Sequence, residues 1–353
     1  RLIDLPLEPP ADLTPGPNQG TPYSDRPNSP DFYDPDGDGV NNLTSLQGTP
    51  GPETIQGLAG DDDIFGNGGG DRISGDENND MIYASSLNTA DSANAYLNGG
   101  AGRDVLLGSA GRDHLIGGPE DSTDTDDALQ GGQGVDYLQG GGGHDVLAGG
   151  PGSDLLRGGD GDDHLFGAAT YTAANRNWTI TPLGDLLANA PPSGGYVFPT
   201  VYLNQFLGSA TSDAAGDVLL GEAGSDELVG SSGDDYLDGG DDPDVLHGYG
   251  GSDVLAGGAG GDWLNGGFDA DVILGGAGND HLFGDLINGE SGGEDAGDTL
   301  DGGAGQDELS GHGGDDVLSG GTENDKLSGG ADNDTLTGGL GNDSLNGGTG
   351  NDT

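Results

Sequence analysis

Along most of this chain the large apolar residues recur neither at the three-to-four spacing of a helix nor at the alternate spacing of a long strand, but at every ninth position. The pattern is cleanest from Gly302 to Asn346, where GGAGQDELS, GHGGDDVLS, GGTENDKLS, GGADNDTLT and GGLGNDSLN stand in tandem, each close to GGxGxDxUx with U a large aliphatic. Position 8 is Leu309, Leu318, Leu327, Leu336 and Leu345, and position 6 is Asp307, Asp316, Asp325, Asp334 and Asp343. A period of nine fits no helical face. The triplet around position 8 instead predicts a very short strand that turns one side chain inward and its two neighbours outward. The glycines predict bends, because left-handed backbone and close approach cost Gly least.

The same row can be followed through most of the sequence. It begins at Gly48, where GTPGPETIQ reads as a degenerate cap with Glu53 at position 6, and continues with Asp62, Asp71 and Asp80 over Ile64, Ile73 and Ile82. An insertion near 84–95 leaves no Asp at position 6, after which Asp104 and Asp113 resume. A small acidic insertion, PEDSTDTDD, precedes Asp127, and Asp136, Asp145, Asp154 and Asp163 complete a first block over 48–166. The second block, 208–353, carries Asp217, Asp226, Asp235, Asp244, Asp253, Asp262, Asp271 and Asp280, then a degenerate row at 284–292, then Asp298, the five clean rows, and Asp352. Insertions are expected to bulge from the turn edges, where chain can be added without opening a ladder of strands.

These rows resemble the RTX, or haemolysin-type, calcium-binding nonapeptide repeat. The resemblance implies an all-β fold, a parallel β-roll or β-solenoid in which two nine-residue rows make one coil and each Ca²⁺ sits between rows on the same edge. Carried onto this chain, it makes the position 6 aspartates from Asp62 to Asp352 calcium ligands, with on the order of twenty ions bound. Asp307 would share an ion with Asp325, and Asp316 with Asp334. The physical need for metal is independent of the resemblance. One aliphatic side chain per nine residues falls far short of the entropy of ordering those residues, and carboxylates stacked at strand spacing repel one another. A hard cation that takes carboxylate and carbonyl oxygens removes the repulsion and adds binding free energy, and Ca²⁺ accepts an irregular all-oxygen cage better than Mg²⁺ does.

Composition sharpens this. The chain has 353 residues, 63 acids against 8 Lys plus Arg, a formal net charge of −55 and 31% apolar residues, values that predict disorder for a chain without metal. So acidic a surface excludes nucleic acid as a partner and disfavours anionic lipid. No run approaches the roughly 20 apolar residues of a membrane span, so no membrane insertion is expected. There is no cysteine, hence no disulfide. Modest-affinity calcium sites, about 10⁻⁴ to 10⁻³ M, fill outside cells, which predicts a secreted, extracellular or cell-surface protein. The chain starts at Arg1, and its sole Met is Met81, as expected of a processed product or fragment.

Three segments differ from the rows. Residues 1–33 are a Pro-rich extended arm, whose start, RLIDLPL, carries Leu2, Ile3, Leu5 and Leu7 and suggests docking on its own solenoid or a neighbouring subunit. Within 34–47, DPDGDGVNN resembles the DxDxDG loops of EF-hand and thrombospondin-type-3 calcium sites: Asp34, Asp36 and Asp38 point at one ion, Gly39 permits the turn, and the Val40 carbonyl is a further ligand. It departs at the twelfth loop position, Ser45, where an EF-hand has Glu. The segment 167–207 holds Tyr171, Trp178, Tyr196, Phe198, Tyr202 and Phe206. NWTITPL and YVFPTVYL read as strands and GDLLANA as a short helix. This insertion is either an aromatic satellite covering one flank of the roll or a subunit or ligand contact.

No HExxH occurs, and a formal GxSxG at 289–293 lacks the preceding hydrophobic strand of a nucleophile elbow. His114, His164 and His281 fall at outward position 7, with the other histidines in turns, and all six read as surface residues. The expectation is a non-enzymatic, calcium-stabilised extracellular structural protein, a self-associating homo-oligomer or homo-polymer in a filament, surface layer or adhesive matrix. The alternatives are the repeat and export module of a larger type I-secreted toxin or hydrolase, or an adhesin module holding a surface glycan through the aromatic insertion.

Overall fold

Each nine-residue row becomes one strand and one turn. A computed structural model describes residues 45–85, 91–119, 126–168, 170–171, 207–208, 214–285 and 296–353. Its strands form two large parallel sheets, one of fourteen strands and one of thirteen, and successive strands in the chain alternate between them. We call these the first sheet, from Ser45–Gln47 to Ser344–Thr349, and the second sheet, from Thr54–Ala59 to Thr335–Leu340. Within a sheet each row pairs with the row two further on. Leu300 lies opposite Leu318 and Leu318 opposite Leu336 in the second sheet, and Leu309 opposite Leu327 and Leu327 opposite Leu345 in the first. One coil is therefore two rows, as expected.

The core is a single file of position 8 side chains from the two sheets, running from Leu46 through Ile55, Ile64 and Ile73 to Leu318 and Leu327. It is narrow because each row contributes one inward residue. The neighbouring glycines keep it so: a Cβ on Gly302 would lie 2.5 Å from Oδ2 of Asp307 and 2.8 Å from the Gly320 carbonyl oxygen.

Insertions leave the pairing intact. The strand Leu155–Asp160 pairs directly with Val218–Ala223, and His164–Phe166 with Glu227–Val229, so both sheets run unbroken past the aromatic insertion. Among the described residues, only the short antiparallel pair Thr170–Tyr171 with Leu207–Gly208 lies outside the two large sheets.

Two expectations are corrected. Among the described residues the roll already includes the row before Gly48: Ser45–Gln47 pairs with Asp63–Phe65, and Leu46 enters the core, so the end of the segment assigned to the calcium loop belongs to the first sheet. Val272–Ala277 pairs directly with Thr299–Ala304 and His281–Asp285 with Glu308–His312, so both sheets run on past the degenerate row at 284–292, of which 286–292 lie outside the described residues. Two of the six histidines are not surface residues. His164 is 5% exposed and its Nδ1 lies 2.8 Å from Oε2 of Glu227, while His247 is 8% exposed within the strand Val245–Gly250. The arm 1–33, the DxDxDG residues Asp34, Asp36, Asp38 and Val40, and the strand and helix assignments within 172–206 lie outside the described residues.

Candidate metal centre

Position 6 begins the strand on the turn edge, and stacking coils at strand spacing sets these aspartates in two columns. One precedes the strands of the first sheet: Asp62, Asp80, Asp104, Asp127, Asp145, Asp163, Asp226, Asp244, Asp262, Asp280, Asp307, Asp325 and Asp343. In it each backbone N–H donates to Oδ1 of the next Asp at 2.6–3.2 Å. The other precedes the strands of the second sheet. There the Glu53 amide donates to Asp71, and the chain of donors runs through Asp113, Asp136, Asp154, Asp217, Asp235, Asp253, Asp271, Asp298, Asp316 and Asp334, whose amide donates to Asp352. All the repeat aspartates picked from the sequence thus fall into these two columns. The second has one gap: the row after the first insertion puts Ala95 at position 6, and its amide still donates to Asp113.

Each Asp carries one oxygen that the ladder uses and one that it does not. Oδ2 of Asp71, Asp136, Asp163, Asp226, Asp244, Asp253, Asp262, Asp271, Asp280, Asp298, Asp307, Asp316, Asp325 and Asp334 is buried without a hydrogen-bond partner. Each of these oxygens turns toward position 1 of its own row, the same place that a carbonyl of the next coil approaches. A Cβ on Gly275 would sit 2.6 Å from Oδ2 of Asp280 and 2.6 Å from the Gly302 carbonyl oxygen, and one on Gly320 would sit 2.5 Å from Oδ2 of Asp325 and 2.7 Å from the Gly338 carbonyl oxygen. Only glycine leaves this space open to oxygens.

Burial of these carboxyls pushes them toward the neutral form. Desolvation, with the neighbouring carboxylates of the column, raises Asp307 to about 6, Asp298 and Asp316 to about 8, and Asp253 to about 9. A buried carboxylate without a compensating charge is strongly disfavoured, so a column of them calls for cations. Among the described residues no three His, Cys, Asp or Glu side chains converge. Side chains therefore supply few ligands per site, and carbonyls must supply the rest. An all-oxygen, carbonyl-rich donor set of this kind is calcium chemistry, not that of zinc or a redox metal. The residues present fit Ca²⁺: Asp Oδ2 would supply charge and position 1 carbonyls would supply further oxygen ligands. The pairs Asp307 with Asp325 and Asp316 with Asp334 are neighbours, joined by an amide-to-carboxylate hydrogen bond of 3.0 Å.

A family model described as the RTX calcium-binding nonapeptide repeat (4 copies) matches residues 47–82, 89–124, 121–156, 140–169, 211–246, 247–282, 257–292, 292–327 and 319–353, well over half of the chain. The chain belongs to this RTX repeat family. No curated relative matches it at a significant level. The RTX repeats account for the aspartate columns and for calcium as the bound ion. Among the described residues no helix is long and apolar enough to cross a membrane.

Sequence reasoning missed a second ladder, beside the first. At position 5 the Asn333 amide donates to Oδ1 of Asp315 at 2.8 Å, Asn342 to Asn324 at 2.8 Å, and Asn351 to Asn333 at 3.1 Å. These bonds run in the opposite direction, from a later row to an earlier one, and those from the Asn333 backbone and side-chain amides hold the Asp315 carboxyl below its usual range. The signal was present in the recurrent Asn-Asp pairs, which the repeat formula hides by writing position 5 as x.

Proposed function

We propose that this RTX protein is a non-enzymatic, calcium-hardened rod that works outside the cell as a structural subunit. The observation that carries this reading is the pair of aspartate columns, in which buried oxygens that the ladder does not use turn toward glycine carbonyls coil after coil. Such a chain folds where calcium is plentiful and stays open where it is scarce, which suits export unfolded and hardening after release. RTX repeats are typical of type I-secreted proteins, in keeping with that route. Fourteen stacked strands at about 4.8 Å give a rod about 60 Å long, with both sheets serving as load-bearing walls. Self-association into a filament, surface layer or adhesive matrix is the use we assign to it.

The test is circular dichroism with electron microscopy of the purified chain, first in millimolar Ca²⁺ and then in chelator. The expected result is parallel β-structure and ordered assemblies in calcium, both lost in chelator. Compact, cooperative β-structure in excess EGTA at neutral pH sinks the calcium coupling. A folded chain that stays monomeric in calcium at high concentration sinks the structural-subunit reading alone.

A further inference from the structure

Position 2 of a regular row is glycine in the left-handed region, as at Gly303 (φ 97°) and Gly321 (φ 101°). Among the described rows of regular length, three carry a hydroxyl there instead: Thr49, Ser109 and Ser231, each with Gly at positions 1 and 4 and an acid at position 6. All three rows precede strands of the second sheet, and none of the three residues has a left-handed φ. The position 2 N–H then turns onto the carboxylate of its own row. The Ser109 amide donates to Oδ2 of Asp113 at 2.5 Å, and the Ser109 hydroxyl lies 2.9 Å from the same oxygen. The Ser231 amide donates to Oδ2 of Asp235 at 2.6 Å, with its hydroxyl 3.4 Å from Oδ1. The Thr49 amide donates to Oε2 of Glu53 at 2.7 Å, and its hydroxyl donates to Oε1. Each hydroxyl accepts in turn from the position 4 amide, Gly51, Gly111 or Gly233, at 3.2–3.4 Å. In the next rung of the column after each of these rows, Oδ2 of Asp71, Asp136 and Asp253 is buried without a hydrogen-bond partner.

We propose that Thr49, Ser109 and Ser231 stand in for a calcium ion: the rungs at Glu53, Asp113 and Asp235 close on protein hydrogen bonds and hold no ion in the loaded roll. The inference rests on calcium as the ion of the columns, and self-association has no part in it. Donors aimed at a carboxylate engage its lone pairs and supply the positive charge density that a cation would bring. An amide N–H facing the oxygen also repels a cation from that place. The other oxygen is engaged as well, since the Ala95 amide donates to Oδ1 of Asp113 and the Asp217 amide to Oδ1 of Asp235, both at 2.6 Å. The placement of the serines gives the physical reason. Each follows a row with Ala in place of Gly at position 4, Ala93 and Ala215, neither of them left-handed. The Ser109 hydroxyl lies 3.3 Å from the Ala93 carbonyl oxygen and the Ser231 hydroxyl 3.2 Å from that of Ala215. Left-handed glycine curls the regular turn so that its carbonyls can face an ion. Where alanine breaks that curl, serine holds the two coils together by hydrogen bonding instead. The second column is thereby divided into separate runs of calcium sites, whereas among its described rows the first column has no hydroxyl at position 2 and runs undivided.

Native mass spectrometry of the full chain in calcium counts the ions bound per chain, with circular dichroism in calcium confirming that each variant keeps the roll. Asp136→Asn with Asp253→Asn removes the charged ligand from two calcium rungs and should lower the count by about two. Asp113→Asn with Asp235→Asn should leave the count unchanged. Ser109→Gly with Ser231→Gly restores the regular row and should raise the count by about two. An equal fall in both Asn pairs overturns the inference, and so does a Gly pair whose count does not rise. If an Asn pair fails to fold, the Gly pair decides alone, because glycine adopts either turn without strain. A natural chain that binds no calcium at all overturns the calcium assignment itself, and the same spectra separate that result from the others.

Discussion

Two stretches of the first sheet, Met81 to Val229 and Glu308 to Asn346, are built from the same row. Both set Leu or Ile at position 8 into one file and Asp at position 6 into one column, and both repeat every coil. They part company on the outside. The upper stretch has three-residue strands with Val, Ala and Phe facing outward and buried. The lower has strands of five or six residues with Glu, Lys, Ser and Asn facing outward and exposed. The repeat dictates what happens inside and at the turns and leaves positions 7 and 9 free. A stretch whose free positions are polar rests on calcium and one leucine per row. A stretch whose free positions are apolar has a second layer of burial as well.

The comparison is most open to challenge by chelation. As calcium is withdrawn, backbone amides in 298–353 should lose hydrogen-exchange protection completely, and at a higher free calcium than those of 104–265, because nothing but the narrow core then opposes carboxylate repulsion. Loss of both stretches in one transition would show that the second layer adds no independent stability.

Acid should partly replace the metal. Burial first, and neighbouring carboxylates next, hold Asp307 up to about 6, Asp298 and Asp316 to about 8 and Asp253 to about 9 in the folded chain, against about 3.9 when unfolded. A folded-state value raised in this way means that protonation favours the fold. The contribution is full below about pH 4 and fades as pH rises through about 6 to 9. In EGTA, β-structure measured by circular dichroism should therefore increase from pH 8 down to pH 4, while calcium affinity changes in the opposite sense, weakening as protons compete for Oδ2. A chelated chain that loses structure on acidification would contradict this.

A smaller effect separates the two outer faces directly. Val146→Asp places a charge inside the second layer and should cost about 3 kcal/mol in calcium, whereas Ser344→Asp at the equivalent exposed position should stay within about 0.5 kcal/mol. Denaturant midpoints at fixed calcium report both, and equal costs would mean that the upper face is no more enclosed than the lower.

Much of the site was legible because a repeat writes its geometry many times over. The choice of Asp at position 6, Gly at position 1 and an aliphatic at position 8 is local: each follows from what a turn edge, a close approach and a core file require, so the aspartate columns could be named residue by residue. The position 5 ladder was not legible, because a short polar side chain at an exposed turn has many uses until the row eighteen residues away supplies its partner. His164 shows the same limit, reading as a surface residue until the chain returns after the insertion to set Glu227 beside it.

By itself, then, the sequence determined the nine-residue row, the inward leucines, the carboxylates that demand calcium and the strand class of the fold, since each depends on residues within one row. Only the tertiary structure decided which row meets which, that Ser45–Gln47 joins the first sheet, that both sheets run on past the insertions, and that part of one outer face is dry. Those depend on contacts between residues tens of positions apart, and an outward direction along the chain does not say whether water or protein lies beyond it.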